Sequence, residues 1–309
     1  MRFFDLHCDT INLCYNNNAP LRENEFQVSL DAGRGLSPWC QTFAIWIPDE
    51  HRGEKAQKRY KAALACFERE LAENSESVSL CKTNAELWGT LAAGRNAALL
   101  AVENASALGG DLKRLENMRQ DGVRLITLTW NGVNEAGCGM LSGETSGLTA
   151  FGKDLLREMG RLGMVADVSH INRAGFWDVL NSNTPVVASH SNAAAVWMHR
   201  RSLEDDQIEG LIGRQGLMGL CFGRDFLGEG EDAGQEAVLR QIGHVLELGG
   251  AGILSIGSDF DGARMHPELD GLHMIEPLYE YLQRHGIDEQ TLNDIFFWNA
   301  YRFYQRIPR

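Results

Sequence analysis

The sequence lacks the features that mark several large classes of protein. Its 309 residues contain no apolar stretch as long as a membrane span and no low-complexity tract. Basic residues are in the minority, because 29 Lys and Arg stand against 42 Asp and Glu, giving a net charge of −13. Nucleic acids and anionic membranes attract clustered Lys and Arg. We therefore expect neither a nucleic acid nor a membrane as a partner.

Paired cysteines are also missing. The seven cysteines are scattered singly and include no Cys-x-x-Cys pair. An odd number of isolated cysteines favours reduced thiols over a disulfide framework. Only Met1 and Arg2 precede an apolar run at Phe3–Cys8, which leaves no room there for a signal peptide. Both patterns predict a cytoplasmic protein.

Short apolar runs alternate with amphipathic stretches along the whole chain. Runs that are apolar on both faces are typical of parallel strands buried between helices. The predicted strands are Phe3–Cys8, Gln41–Ile47, Ala97–Glu103, Val123–Trp130, Met164–His170, Pro185–His190, Leu217–Phe222 and Ile253–Asp259. The predicted helices are Glu54–Glu73, Leu112–Gln120, Ala150–Arg161, Arg173–Asn181, Leu203–Arg214, Glu236–Leu248 and Thr291–Gln305.

This alternation predicts an α/β fold, specifically a closed (β/α)₈ TIM barrel of the metal-dependent hydrolase type. An open, doubly wound sheet is the structural alternative. The sequence shows no internal repeat and no linker, so we expect residues 1–309 to form a single domain.

The first strand carries an unusual set of polar residues. Asp5, His7 and Asp9 share one parity, and side chains on a strand alternate between its faces, so all three should point the same way. Buried polar groups are costly unless something satisfies them. A divalent metal bound by an imidazole and a carboxylate would do so. A hydrogen-bonded polar cluster is the alternative.

Further ionisable residues close other apolar strands at their C-terminal ends, which is the active-site face of a TIM barrel. They are Glu103, His170, His190 and Asp259. Together with His7 and Asp9 they exceed what one zinc ion needs, and two ions about 3.5–4 Å apart fit the number better. We assign His7 and Asp9 to one ion and His170 and His190 to the other. Glu103 then forms the bridge, and Asp259 is left as the catalytic proton-transfer group.

The combined motifs resemble those of the membrane dipeptidase (renal dipeptidase) family of the amidohydrolase superfamily. The resemblance covers nearly the whole chain. The matching segments are DLHCDT at Asp5–Thr10, the strand ending in Glu103, GLTAFGKDLLREMGRLGMVADVSH at Gly147–His170, SHSNA at Ser189–Ala193, RRSLEDD at Arg200–Asp206 and GSDFDG at Gly257–Gly262.

The resemblance implies a (β/α)₈ barrel, two zinc ions, hydrolysis of dipeptides and, frequently, a homodimer. Members often tolerate a D-residue at the C-terminal position. By position, Arg201 resembles the residue that binds the substrate carboxylate, for which its planar fork is suited. A surface ion pair between Arg201 and Asp205 or Asp206 is the alternative.

Two departures from the family pattern affect the predicted substrate more than the predicted metal. Many members have a His where this chain has Trp130, and an indole offers only an N–H donor. Asn131, Asn134 or Glu135, in the next loop, could meet the substrate instead. The second departure is Asn104 after Glu103, where many members have Gly.

The leading hypothesis is a metal-dependent dipeptidase. The alternative is another hydrolase on the same metal centre, acting on a different amide, a lactone or an N-acyl amino acid, because loops set the substrate. A non-catalytic binding barrel is a third reading, although it gives no reason for a complete set of ligands together with Asp259.

Overall fold

A computed structural model describes residues 1–307, which form a ring of parallel strands surrounded by helices. The strands are β1 (Phe3–Cys8), β2 (Trp39–Trp46), β3 (Val78–Leu80), β4 (Asn96–Glu103), β5 (Val123–Thr127), β6 (Val165–Asp167), β7 (Val186–Ala188), β8 (Leu217–Leu220) and β9 (Leu254–Ile256). The helices are α1 (Thr10–Asn17), α2 (Gly53–Glu73), α3 (Asn84–Ala92), α4 (Arg114–Asp121), α5 (Ala150–Arg161), α6 (Arg173–Leu180), α7 (Asp205–Gly213), α8 (Arg224–Leu227), α9 (Gln235–Glu247), α10 (Ile275–Arg284), α11 (Glu289–Asn293) and α12 (Asn299–Arg306).

The ring closes between strands that are distant in sequence. β1 pairs with β2 on one side and with β9 on the other, and β2 pairs with β4. The remaining strands follow in chain order up to β9, and all of these pairings are parallel. β3 lies outside the ring and pairs with the beginning of β4. The predicted TIM barrel is confirmed, and the open sheet is wrong.

Several strands end earlier than the sequence predicts. The predicted strand Met164–His170 pairs only over Val165–Asp167, and the predicted strand Ile253–Asp259 pairs only over Leu254–Ile256. Beyond these points the chain turns, and the backbone reaches positive φ at His170 (69°) and Asp259 (64°). The polar residues at the ends of these strands therefore lie on turns at the barrel mouth.

The last helical pattern is also divided. The predicted helix Thr291–Gln305 is observed as α11, a π-helical turn at Asp294–Trp298, and α12. This segment packs against the beginning of β1, where Phe4 stacks on Tyr304 with ring centroids 5.7 Å apart. Phe4 also meets Phe297 at 6.3 Å. The apolar face of the C-terminal segment thus contributes to the core near the start of the first strand.

Two glycines let the backbones near the ends of β7, β8 and β9 approach closely. A Cβ atom on Gly257 would lie 1.6 Å from the carbonyl oxygen of Ser189, and one on Gly219 would lie 2.0 Å from it. Any side chain at either position would push these strands apart. Ser258 and Asp259 follow Gly257 directly, so this contact also fixes where they leave the strand.

Two further features of the chain are the hydropathy of its helices and the state of its cysteines. Within residues 1–307, no helix combines the length and the apolar character that crossing a membrane requires. All seven cysteines are buried and free.

We expect Gly257→Ala to lower the free energy of unfolding by about 1–3 kcal/mol or more, because overpacking forces backbone shifts. Gly243→Ala is the matched control. Gly243 lies in α9, and a Cβ there meets nothing within 4 Å. Alanine should raise helix stability by up to about 1 kcal/mol. Denaturant unfolding followed by circular dichroism measures both, and a Gly257→Ala protein as stable as wild type would contradict the close approach.

Candidate active site

The ionisable residues predicted from the sequence meet at one end of the barrel. They border a cavity of about 450 Å³ at the C-terminal ends of the strands. Its lining includes Asp9, Glu103, His170 and Asp259, together with Trp46, Trp130, Asn131 and Arg201. His7 and His190 are buried beneath it, within reach of Glu103.

His7 lies among three carboxylates. Its Nε2 atom is 3.3 Å from Oδ2 of Asp9, 3.7 Å from Oε2 of Glu103 and 3.9 Å from Oδ1 of Asp259. Asn12, on α1, holds Asp9 in place by donating a 2.8 Å hydrogen bond to its Oδ1 atom. One imidazole nitrogen of His7 and one carboxylate oxygen each of Asp9 and Asp259 all lie within 4.8 Å of one another, close enough to bind one metal ion.

Two further imidazoles lie near the other oxygen of Glu103, and the ring of His190 also lies against that of His7, with centroids 4.0 Å apart. Nε2 of His170 is 2.9 Å from Oε1 of Glu103 and 2.9 Å from Nε2 of His190. The two oxygens of Glu103 therefore face different groups, since Oε2 faces His7 and Oε1 faces the His170–His190 pair. This is the position of a carboxylate that can serve two neighbouring cations at once.

The electrostatics of the cluster favour cations. Burial, together with the charge of Asp9, raises the pKa of Glu103 well above its ordinary value, and burial raises the pKa of Asp259 to about 6. Burial alone lowers the pKa of His7, but the hydrogen bond with Asp9 and the surrounding carboxylates outweigh it and raise that pKa to about 10. The carboxylates thus draw positive charge into the cluster.

The other two imidazoles are held neutral. Burial, with the positive charges of Arg201 and His7, lowers the pKa of His170 and of His190 well below the ordinary value. Neutral imidazoles and buried carboxylates are the donors that zinc and related divalent ions bind. The residues at the barrel mouth therefore fit a divalent metal centre.

Asp5 has a supporting position. It is fully buried and accepts hydrogen bonds from the backbone N–H of His7 at 3.2 Å and of Ser258 at 2.9 Å. It also accepts from Ser258 Oγ at 2.6 Å and from Gln41 at 2.9 Å. Asp5 therefore holds the strand ends that carry His7 and Asp259.

Arg201 reaches into the site. Its Nη1 atom is 2.9 Å from Nδ1 of His170, and Nη2 donates to the carbonyl oxygen of His190 at 3.4 Å. The alternative of a surface ion pair is wrong, because Asp205 pairs with His244 and Asp206 pairs with Arg173.

Asn131 and Trp130 border the cavity differently. Oδ1 of Asn131 lies 3.0 Å from Nδ1 of His170, so Asn131 contacts a predicted metal ligand as well as the cavity. Trp130 packs edge-on against Trp46, with ring centroids 5.0 Å apart, and lies 6.2 Å from the ring of His170. The two indoles form an aromatic wall.

The replacement of glycine after Glu103 has a conformational explanation. Asn104 has a φ of 86°, a region that glycine reaches freely and that Asn tolerates better than most residues. Its side chain also accepts from the N–H of Ser106 and donates to the carbonyl of Ile47. Asn104 therefore accommodates the same turn.

Three comparisons relate this chain to known proteins. A sequence model of the membrane dipeptidase family (peptidase family M19) matches residues 1–308. A protein in the pqqA 5′ region of Klebsiella pneumoniae is 31% identical over 255 residues, covering 79% of this chain and 94% of that protein. The dipeptidase verJ of Clonostachys rogersoniana is 32% identical over 232 residues, covering 74% of this chain and 60% of that protein.

A solved structure agrees with these sequence matches. The crystal structure of a metallo peptidase from Rhodobacter sphaeroides, liganded with a phosphinate mimic of the dipeptide L-Ala-D-Ala, superposes with a TM-score of 0.93 at 27% identity. The match covers 100% of this chain and 99% of that one. With a family match over almost its whole length, the chain belongs to the membrane dipeptidase family of metallopeptidases.

Proposed function

We propose that this dipeptidase-family protein hydrolyses dipeptides, including those with a C-terminal D-residue, with the help of two zinc ions. The observation that carries the proposal is Glu103, whose two oxygens face His7 on one side and the His170–His190 pair on the other. The family implies a metal cofactor. The related metallo peptidase was crystallised with a mimic of L-Ala-D-Ala, which supports the substrate class.

His7 and Asp9 would hold one ion, His170 and His190 the other, and Glu103 would contact both. When bound, such a metal pair lowers the pKa of a coordinated water and polarises the carbonyl of the scissile bond. These residues come from four different strand ends. Asn12 and Asp5 restrain Asp9 and His7, so little reorganisation is needed when the site is filled.

Asp259 is the proposed proton carrier. Its carboxylate borders the cavity, and its Oδ1 atom is 3.9 Å from Nε2 of His7. A carboxylate there can accept a proton from the attacking water and return it to the leaving amine. The thiol of Cys221 points at Oδ2 of Asp259 from 3.6 Å, leaving Oδ1 on the side of the ligands.

Arg201 is the proposed anchor for the substrate carboxylate. Nδ1 of His170 faces two competing groups, the donor Arg201 and the acceptor Oδ1 of Asn131. An imidazole that binds a metal through Nε2 carries its proton on Nδ1, so it donates to Asn131 and cannot accept from Arg201. Filling the metal site therefore frees the guanidinium fork for a carboxylate.

A different substrate on the same centre is the second candidate, and Trp130 motivates it. The aromatic wall of Trp46 and Trp130 borders the cavity where many family members carry a His. Such a wall also suits an apolar amide, a lactone or an N-acyl amino acid. Assembly as a homodimer and a cytoplasmic location remain predictions.

We expect zinc-loaded protein to hydrolyse members of a panel of L-L and L-D dipeptides, and a chelator to abolish the reaction reversibly. Ninhydrin or chromatographic detection of free amino acids measures it, with matched lactones and N-acyl amino acids assayed in parallel. Metal-loaded protein that cleaves only the latter compounds would replace the dipeptide proposal with the second candidate.

We expect Asp259→Asn to keep its metal and to lose turnover by roughly 10²–10⁴-fold, because the amide cannot carry the proton. Metal content by mass spectrometry and kcat on the best dipeptide are the two measurements. Asp154→Asn, a change of the same type on the exposed face of α5, should leave both unchanged. Normal turnover in Asp259→Asn would remove Asp259 from this role.

We expect Arg201→Lys to raise KM for a dipeptide roughly 10- to 100-fold, because the two-pronged contact with a carboxylate is worth about 1.5–3 kcal/mol. The neighbouring change Arg200→Lys is the matched control and should leave KM unchanged. A dipeptide with an amidated C-terminus sharpens the test. Wild type should discriminate against it strongly and Arg201→Lys only weakly, so equal discrimination by both proteins would contradict the assignment.

A further inference from the structure

A carboxylate outside the predicted ligand set lies directly behind His190. Asp167 ends β6 and is fully buried. Its Oδ1 atom accepts the backbone N–H groups of Ser169 at 3.0 Å and Ser189 at 2.9 Å. Its Oδ2 atom accepts the hydroxyls of Thr127 at 2.5 Å and Ser189 at 2.6 Å. A carboxylate offers about four acceptor sites, and these four donors fill them.

The hydroxyl of Ser189 connects Asp167 to the imidazole of His190. A hydroxyl has one proton, and that of Ser189 is given to Asp167. Nδ1 of His190 lies 2.7 Å from the same oxygen, which can then only accept. Nδ1 must therefore carry the ring proton. Nε2 then carries a lone pair, and it lies 2.9 Å from Nε2 of His170 and 3.9 Å from Oε1 of Glu103.

We infer that Asp167, acting through Ser189, is a positioning residue that fixes His190 in the tautomer able to bind a metal through Nε2. Histidine ligands commonly donate their second N–H to a carboxylate, carbonyl or water, and the loss of that partner weakens metal binding. Here a hydroxyl is inserted between the ring and the carboxylate. The inference rests on the proposed metal centre but does not depend on which peptide is cleaved.

The barrel contains a second pair of the same geometry that lacks an imidazole. Asp5 accepts a hydrogen bond from the backbone N–H of His7, two residues further along the chain. It also accepts hydrogen bonds from the backbone N–H and the hydroxyl of Ser258, at the end of the adjacent strand. The oxygen of Ser258 accepts the backbone N–H of Phe260 at 3.1 Å. Asp5 and Ser258 thus hold only the backbone, whereas Asp167 and Ser189 also hold the ring of His190. The pair Asp5–Ser258 is therefore a natural control.

Asp167→Asn should reverse the chain of hydrogen bonds. The two backbone N–H groups of Ser169 and Ser189 require an oxygen at the Oδ1 position, so the amide NH₂ must take the Oδ2 position. It then donates to the oxygen of Ser189, and the hydroxyl proton turns towards Nδ1 of His190. The ring proton moves to Nε2, so metal binding through Nε2 first requires that proton to return to Nδ1.

Asp5→Asn is the matched control. The same argument places its NH₂ opposite Ser258, but the hydroxyl of Ser258 can turn to the carbonyl oxygen of His7, 3.2 Å away. No imidazole takes part in this rearrangement. Both variants replace a buried carboxylate that accepts two backbone N–H groups and one serine hydroxyl, while the fourth donor is the hydroxyl of Thr127 at Asp167 and the side-chain amide of Gln41 at Asp5. A purely structural effect of losing the carboxylate should therefore appear in both variants.

The experiment measures tautomer and metal affinity rather than turnover. Long-range ¹H–¹⁵N spectra of metal-free protein labelled with ¹⁵N-histidine report which ring nitrogen is protonated, with His190 assigned by the signal lost in His190→Gln. We expect Nδ1–H in wild type and Asp5→Asn, and Nε2–H in Asp167→Asn. Calorimetric titration with Zn²⁺ should show one site weakened about 10- to 100-fold in Asp167→Asn and a smaller loss in Asp5→Asn, which leaves the tautomer of His190 unchanged.

An unchanged tautomer in Asp167→Asn, or equal losses of zinc affinity in the two Asn variants, would overturn the inference. If Asp167→Asn does not fold, Ser189→Ala replaces it, because it removes the link while keeping the carboxylate, and a retained Nδ1–H tautomer with full affinity would overturn the inference as well. Wild-type protein that shows the Nδ1–H tautomer but binds no zinc would instead refute the proposed metal centre, so the two failures can be told apart.

Discussion

The structure depends on Glu103, a carboxylate buried at the barrel mouth with one oxygen facing His7 and the other facing His170 and His190. A charge in such a place is costly unless partners surround it, and the penalty is too large for one neighbour to offset. The closed ring of strands solves this by delivering partners from several directions at a common height. The fold and the site are therefore one problem, because opening the ring would leave Glu103 without compensation.

The support for this arrangement comes from a layer that carries no reactive group itself. Asp5, Asn12 and Asp167 are buried, and they form hydrogen bonds with residues that face the cavity or that lie next to such residues. His170 and Asp259 additionally adopt left-handed backbone conformations, which cost of order 1 kcal/mol or more and persist only where surroundings impose them. The site is thus held in a conformation that the isolated segments would not choose.

The sequence predicts the barrel and the set of ionisable residues because both leave strong local patterns: apolar runs, and charged residues where those runs end. It overestimates the strands, since no local pattern at Val168–His170 marks the turn that follows β6. It misses β3 and α3, which are short and carry little periodicity. The role of Asp167 and Ser189 is not predicted either, because it depends on how two consecutive strands align side by side, 22 residues apart in the chain, and no local pattern encodes that alignment.

The aromatic wall and the strand ends at the base of the site are subject to different structural constraints. Trp46 comes from the end of β2 and Trp130 from the loop after β5, and each contributes its ring to the cavity. Only the backbone N–H of Trp46 is tied to the buried cluster, through Asn12, which holds Asp9. The floor, by contrast, is fixed by main-chain contact at Gly219, Gly257 and Ser189. Substitutions in the aromatic wall can therefore change which compounds the site accepts. The backbone beneath it tolerates almost no change, so the residues proposed to carry out the reaction keep their positions.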